Sequence, residues 1–387
     1  MILMWLGSFV LLLFGLNESQ KVLAHIFSRG QKDLLEKNSD KSLAFLFSRY
    51  LGVVLLEGSP GKSLYSGMAA YNLRVSPLQS ANLWMCLSTL GAWWALLLGS
   101  FFLNVNGLLL LGIGALSYLG LLRGRLTLNY LKLSLYVGIF LLGGDLSLRN
   151  SSVLLNLLGT GDVVFFLADG RFLSVLGIML IGVLLTFFVS IEFWSVCLAL
   201  TLLVANVISV NGALALFAGE RIGRMLLFWW RTRELNQDCR RIGWQFSWVS
   251  ASGAFLGFMI AGILRGDGGI GFSGDMDLFR QKILEFLSLS AVVLIVQFLS
   301  QMVWGHFGSK LKVDEIQEGR YIPKSWTEQE LISTEALTWI RARVQKRLSE
   351  IRYHRQGLQT VKEGQIPEVL QARLKAEEDQ LSRFLQD

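Results

Sequence analysis

The sequence predicts an all-α polytopic membrane protein. It has two inverted-topology repeats, each with a broken re-entrant hairpin, and ends in a cytoplasmic helical hairpin. Three observations carry the prediction. Apolar residues make up 52% of the 387 positions and charged residues 17%, with a mean hydropathy of +0.48. Soluble domains carry about a quarter charged residues. Two apolar segments are interrupted in mid-run, at Glu57-Gly58-Ser59-Pro60-Gly61-Lys62 and at Ser190-Ile191-Glu192, and the breaks begin 133 positions apart. After His306 the character changes: charges of both signs alternate and long apolar runs stop.

Taken in order, residues 2–16 read as a first span, with neither the basic flank nor the small-residue cleavage site of a signal peptide. Residues 17–42 are polar and basic, with an amphipathic piece near 22–35. Residues 43–71 form the first broken hairpin. Spans follow at 83–103 and 108–122, and Arg123 and Arg125 make a basic turn before the chain returns over 126–144. A mixed stretch holds Asp145, Asp162 and Asp169. Residues 172–209 form the second broken hairpin and 213–230 a span. A basic loop at 231–241, a span at 242–264, a Gly-rich loop at 265–280 and a last span at 283–304 complete the membrane part. This gives repeat 1 over 1–150, repeat 2 with the final spans over 151–305, and a tail over 306–387.

Basic loops stay on the cytoplasmic side. That rule puts 17–42, 123–125, 231–241 and the tail inside, and 104–106 and 265–280 outside. The span at 83–103 then ends outside, while its counterpart 133 positions on, 213–230, ends inside. Equivalent helices of opposite sense define an inverted repeat. Few identities align across it (Ser76 with Ser209, Leu51 with Leu184).

Interrupted helices in matching halves point to a solute site. The candidate binding residues are Glu57, Gly58, Ser59, Gly61, Lys62 and Ser63 in one break, and Ser190, Glu192 and Ser195 in the other. A charge at membrane depth costs at least about 2.5–3.5 kcal/mol on insertion scales. Two readings follow for Glu57 and Lys62. In one they pair and fill a dead site. In the other Lys62, with the free amides of Gly61, Lys62 and Ser63, meets an anion, and Glu57 serves as a cation or proton site. Glu192, Glu220 and Arg221 pose the same choice, with Glu220 and Arg221 placed near a helix end and reaching the interface.

Other chemistries are excluded. Gly61-Lys62-Ser63 lacks the glycine five positions upstream that a phosphate-binding loop needs, since Leu56 stands there. Arg265-Gly266-Asp267-Gly268-Gly269-Ile270-Gly271 follows no strand, so it is not a dinucleotide fingerprint. His25, His306 and His354 are too scattered for a metal cluster, and Cys86, Cys197 and Cys239 form no disulfide framework. The net charge of +7 fits positive-inside bias rather than nucleic-acid binding. No enzyme activity is expected.

In the second half, Ala205-Asn206-Val207-Ile208-Ser209-Val210-Asn211-Gly212-Ala213-Leu214-Ala215-Leu216 leads into Gly219-Glu220-Arg221-Ile222-Gly223-Arg224. With the opening Leu12-Leu13-Phe14-Gly15-Leu16, these runs resemble the bacterial type II sodium/phosphate cotransporter family. That family's AGLISLEAALAL segment, GANIGT motif and LFLFGM start stand at those places. Its QSSSAT motif falls on Ser190–Ser195 and on Glu57–Lys62, and in the first half GANIGT falls on Cys86–Gly91. Tyr321-Ile322-Pro323-Lys324, with Glu335-Ala336-Leu337, resembles the lead into the family's phosphate-regulator-like helical domain, here truncated. The resemblance covers most of the chain. It implies a multi-pass protein of the bacterial inner membrane with a cytoplasmic C-terminus. It also implies phosphate or another small anion as solute, with sodium or protons as the coupling ion and no other cofactor. The motifs depart from the family. Glutamine is replaced by Glu57 in one break and Ser190 in the other, and Phe246-Ser247 and Leu287-Ser288 stand where Phe-Asn would. Glu57 places negative charge where an anion would go. The departures keep a second reading open: a transport-inactive scaffold or regulatory subunit.

In the tail, Leu337, Ile340, Val344, Leu348 and Ile351 step by three and four, one stripe of an amphipathic helix. Past Gly364-Gln365-Ile366-Pro367 a second helix carries Val369, Leu370, Leu374, Leu381 and Leu385. This hairpin packs on itself, on a second copy or on a partner protein.

Overall fold

In the computed structural model the apolar opening does not stop at Leu16. One helix, α1 (Ile2–Glu36), runs through it. The expected span at 2–16 and the amphipathic piece near 22–35 are a single element. The polar residues joining them are compatible with a helix, and Lys21 pairs with Glu18 one turn back at 2.7 Å. The structure describes residues 2–36, 60–73, 78–91, 125–150, 172–189, 194–266, 278–308, 322–328, 332, 334–359, 374–379, 381–382 and 385. The expected span at 108–122 and the loops at 104–106 and 265–280 lie wholly or mostly outside them. Every regular element among the described residues is a helix: α2 (Pro60–Asn72), α3 (Leu78–Gly91), α4 (Arg125–Arg149), α5 (Phe172–Phe188), α6 (Trp194–Val204), α7 (Val210–Thr232), α8 (Gln237–Gly266), α9 (Leu278–Gly308), α10 (Lys324–Glu328) and α11 (Thr334–Gln359).

Several bounds differ from the sequence reading. The helix expected over 126–144 continues to Arg149, where Arg149 pairs with Asp145 at 2.9 Å. Most of the basic loop expected at 231–241 is helical. α7 runs to Thr232, and α8 starts at Gln237 because the Asn236 side chain accepts the Cys239 amide at 2.9 Å.

Glycine sets the closest helix pairs. In α1 and α4, a Cβ on Gly15 would lie 2.8 Å from the Tyr136 carbonyl oxygen, and one on Gly143 would lie 2.8 Å from Leu12 Cα. In α5 and α7, a Cβ on Gly182 would lie 2.6 Å from the Leu216 carbonyl oxygen, and one on Gly219 would run into the Met179 carbonyl. In α8 and α9, a Cβ on Gly257 would lie 2.8 Å from Val293 Cα. Each pair meets backbone to backbone, an approach that only a glycine at the contact allows.

The contacts also fix direction. Gly182 and Gly219 meet, and so do Thr186 and Gly223, so α5 and α7 run parallel. α6 returns along α7, taking the chain from the Ser195–Glu220 contact back to the turn at Asn206. The second hairpin therefore enters and leaves at one end of the bundle, with each arm resting chiefly on α7. That end is marked by Lys282, at the start of α9, which donates to Asn206 Oδ1 at 2.8 Å. Asn206 takes the left-handed φ of 55°, which asparagine tolerates.

The other two-helix unit, α2 and α3, turns at the opposite end. Cys239, at the start of α8, donates to Asn72 Oδ1 at 3.4 Å. Thr89 donates to Gln301 at 2.7 Å, while Asn82 lies beside Gly305, so α3 runs antiparallel to α9. α2 and α6 start 134 positions apart, α3 and α7 132 apart. Each pair matches in order and runs in opposite directions through the bundle.

The tail sits on the Asn72 end. Trp326 of α10 is fully buried, with its ring 5.1 Å from Tyr65 in an edge-on contact. Tyr65 meets Phe228, Phe228 meets Phe246, and Phe246 meets Trp304, at 5.4, 6.2 and 5.5 Å. This aromatic chain ties the tail to α2, α7, α8 and α9. Ser325 donates to Glu234 at 2.6 Å, placing tail and basic loop on the same end. In α11 the stripe Ile340, Val344, Leu348 and Ile351 is buried, and Leu381 of the following helical residues packs into the same cluster. Arg352 pairs with Glu378 at 3.0 Å across that contact.

The outside of the bundle is apolar. On α5, Leu173, Leu176, Leu180, Leu184 and Phe187 are exposed at steps of three and four. Trp244, Trp248, Phe255 and Met259 of α8 and Ile295, Leu299 and Val303 of α9 are exposed as well. Two helical segments, Gln237–Arg265 and Arg280–Gly305, are long and apolar enough to cross a membrane.

Candidate functional site

Where the arms of the second hairpin end, the middle of α7 carries an ion cluster. α7 opens on Ser209, whose side chain accepts the Gly212 amide at 3.2 Å. Past Asn211 the helix is built of small and apolar residues up to Gly219, which lets α5 lie directly on it. Glu220 follows, with no side-chain exposure. Ser195, in the first turn of α6, donates to one Glu220 oxygen. Arg224, one turn on, donates from Nε to the other at 2.6 Å, and Arg221 Nη2 lies 3.6 Å from that same oxygen. The Arg221 guanidinium also lies over the Phe217 ring at 5.8 Å. Gly223 presses on Thr186 of α5, where a Cβ would lie 2.9 Å from the threonine Oγ1.

The charge count is one carboxylate against two guanidinium groups, all but shut off from solvent. A buried ion set of this kind is held by its geometry: desolvating it costs several kcal/mol per ion, and only close pairing offsets that. Among the described residues the cluster belongs to one unit alone. In α3 the position 133 residues earlier is Leu87, fully buried.

The expected interface placement of Glu220 and Arg221 is corrected. Glu220 lies ten residues from the start of α7 and twelve from its end. At about 1.5 Å per residue that is roughly 15 Å, beyond the reach of a glutamate side chain. Of the residues expected in the breaks, Glu57, Gly58, Ser59, Ser190 and Glu192 lie outside the described residues. Gly61 and Lys62 are half-buried in the first turn of α2, and Ser63 is fully buried beside them. Ser195 is buried and bonded to Glu220 of its own unit. The sequence reading missed Arg224 as a partner; for Glu220 it left pairing, a site role and the interface open, and Glu220 is paired inside. The signal was there: a Glu and an Arg four apart, flanked by Gly219 and Gly223, which mark a face covered by another helix.

Among the described residues no group of His, Cys, Asp and Glu suits a metal ion. Comparison with protein-family models, curated proteins and solved structures finds no match.

Proposed function

We propose that the chain is a multi-pass membrane protein of the sodium/phosphate cotransporter type, moving phosphate or another small anion by alternating access. The observation that carries this reading is the pairing of two oppositely directed two-helix units, α2–α3 and α6–α7, with a buried ion cluster where the second hairpin's arms end. Interrupted helices in matching repeats are where transporters of this design hold their solute. The exposed apolar faces of α5, α8 and α9 suit lipid contact. The excess positive charge at Arg221 and Arg224 suits an anion, which takes the place of Glu220 on Arg224 and of Glu220 on the Ser195 hydroxyl. Sodium or protons balance the charge, and the tail faces the cytoplasm of a bacterial inner membrane.

A second reading has its own observation. Glu220 already occupies Ser195 and Arg224, so the cluster satisfies itself as a filled site would. In that reading the chain is a transport-inactive scaffold, and the tail binds a partner protein or a second copy.

Uptake separates the two. Proteoliposomes with an inward sodium gradient are expected to accumulate radiolabelled phosphate. Arg224→Ala is expected to cut the rate at least roughly tenfold, the worth of about 1.4 kcal/mol. No accumulation of phosphate, sulfate or carboxylates by the natural protein retires the transporter reading.

A further inference from the structure

A second polar group, sharing no residue with the Glu220 cluster, lies along the seam where α3, α8 and α9 meet. Ser250 Oγ of α8 accepts both glutamine side chains of α9, from Gln297 Nε2 at 2.8 Å and from Gln301 Nε2 at 2.6 Å. All three side chains are fully buried. Because both amide nitrogens turn toward Ser250, both amide oxygens turn away from it. Gln301 Oε1 meets the Thr89 hydroxyl of α3 at 2.7 Å. Gln297 Oε1, one turn along the same face, has no hydrogen-bond donor among the described residues. Neither has Asn82 Oδ1, two turns before Thr89 on α3 and 2% exposed. Leaving such an oxygen buried and unmet costs about 1–3 kcal/mol.

The Gln301 oxygen thus meets a hydroxyl and the Gln297 oxygen meets no donor, with no charged side chain in the hydrogen-bonded set. An anion is repelled there. A divalent cation wants carboxylates to offset its dehydration. Rings of neutral oxygens instead replace the hydration shell of a monovalent ion. We propose that this seam is a monovalent-cation site, with Gln297 Oε1, Gln301 Oε1 and Thr89 Oγ1 as ligands and Ser250 as the residue that aims the two amides. The site shares no residue with the Glu220 cluster, and the proposal does not depend on what that cluster carries.

The test is sodium-dependent thermal stability of the purified full-length protein, with choline chloride holding ionic strength constant. The unfolding midpoint is expected to rise with sodium and saturate, while choline leaves it unmoved. Gln297→Leu and Ser250→Ala are each expected to weaken the apparent sodium affinity roughly tenfold or more, and Gln297→Glu to strengthen it by a similar factor. Structural hydrogen bonds alone give no sodium specificity. Equal responses to sodium and choline overturn the proposal. So does an unchanged sodium response in both weakening variants. If those two fail to fold, an unchanged affinity in Gln297→Glu overturns it. Sodium binding that persists without any anion uptake counts against the transporter reading only, and uptake without sodium binding here counts against this site only.

Discussion

Glu220→Ala is expected to lower stability by about 3–5 kcal/mol, because it leaves buried cations without their counter-charge. Arg221 is 3% exposed and Arg224 14%, so neither can recover hydration by moving a short way. The alanine also removes the acceptor of the Ser195 hydroxyl and with it the hydrogen bond between α6 and α7. Fluorescence-detected size exclusion after a heat series should show the monodisperse peak lost at a clearly lower temperature. Glu220→Gln keeps the shape and an acceptor and should fall between. The double variant Glu220→Leu with Arg224→Leu should recover part of the loss, since it removes one of the two cations that Glu220 balances, while Arg221 stays buried without its counter-charge. A single variant as stable as the natural protein would mean that water reaches the cluster, contrary to its burial.

Trp326→Ala is the second large effect, also about 3–5 kcal/mol if the cavity stays open. Trp326 packs edge-on against Tyr65, which in turn meets Phe228, and the neighbouring Ser325 bonds to Glu234. The loss should fall on the attachment of the tail rather than on α7, α8 and α9, which also pack on one another. Limited proteolysis should then release the tail early while the rest of the chain stays whole. Trp326→Phe should keep much of the protection through the remaining ring. An unchanged digestion pattern in Trp326→Ala would show that the aromatic chain does not anchor the tail.

These residues show what a sequence makes legible and what it hides. The helical composition and the tail stripe at Ile340, Val344, Leu348 and Ile351 follow from period and hydropathy, which act locally. The break before Trp194 was legible because polar residues interrupt an apolar run. The length of α1 was not, since a drop in hydropathy at Asn17 was read as a chain boundary although the polar residues there favour a helix equally well. The same confusion of charge with loop misplaced the start of α8. For Glu220 the sequence leaves an inward pairing and the interface both open, the latter because a helix end is expected nearby. Its true setting depends on α5 covering Gly219 and Gly223, a contact with residues some forty positions away. The Thr89–Gln301 bond joins residues 212 positions apart, and nothing local announces it.

The opposed directions of α2–α3 and α6–α7 are the feature on which the functional reading rests, and membrane sidedness tests them most directly. In a background with Cys86, Cys197 and Cys239 replaced by alanine, single cysteines at Asn104 and Arg233 can be labelled from either side of sealed vesicles with an impermeant maleimide. The account predicts opposite sides, Asn104→Cys outside and Arg233→Cys inside. Both cysteines labelled from the same side would contradict it.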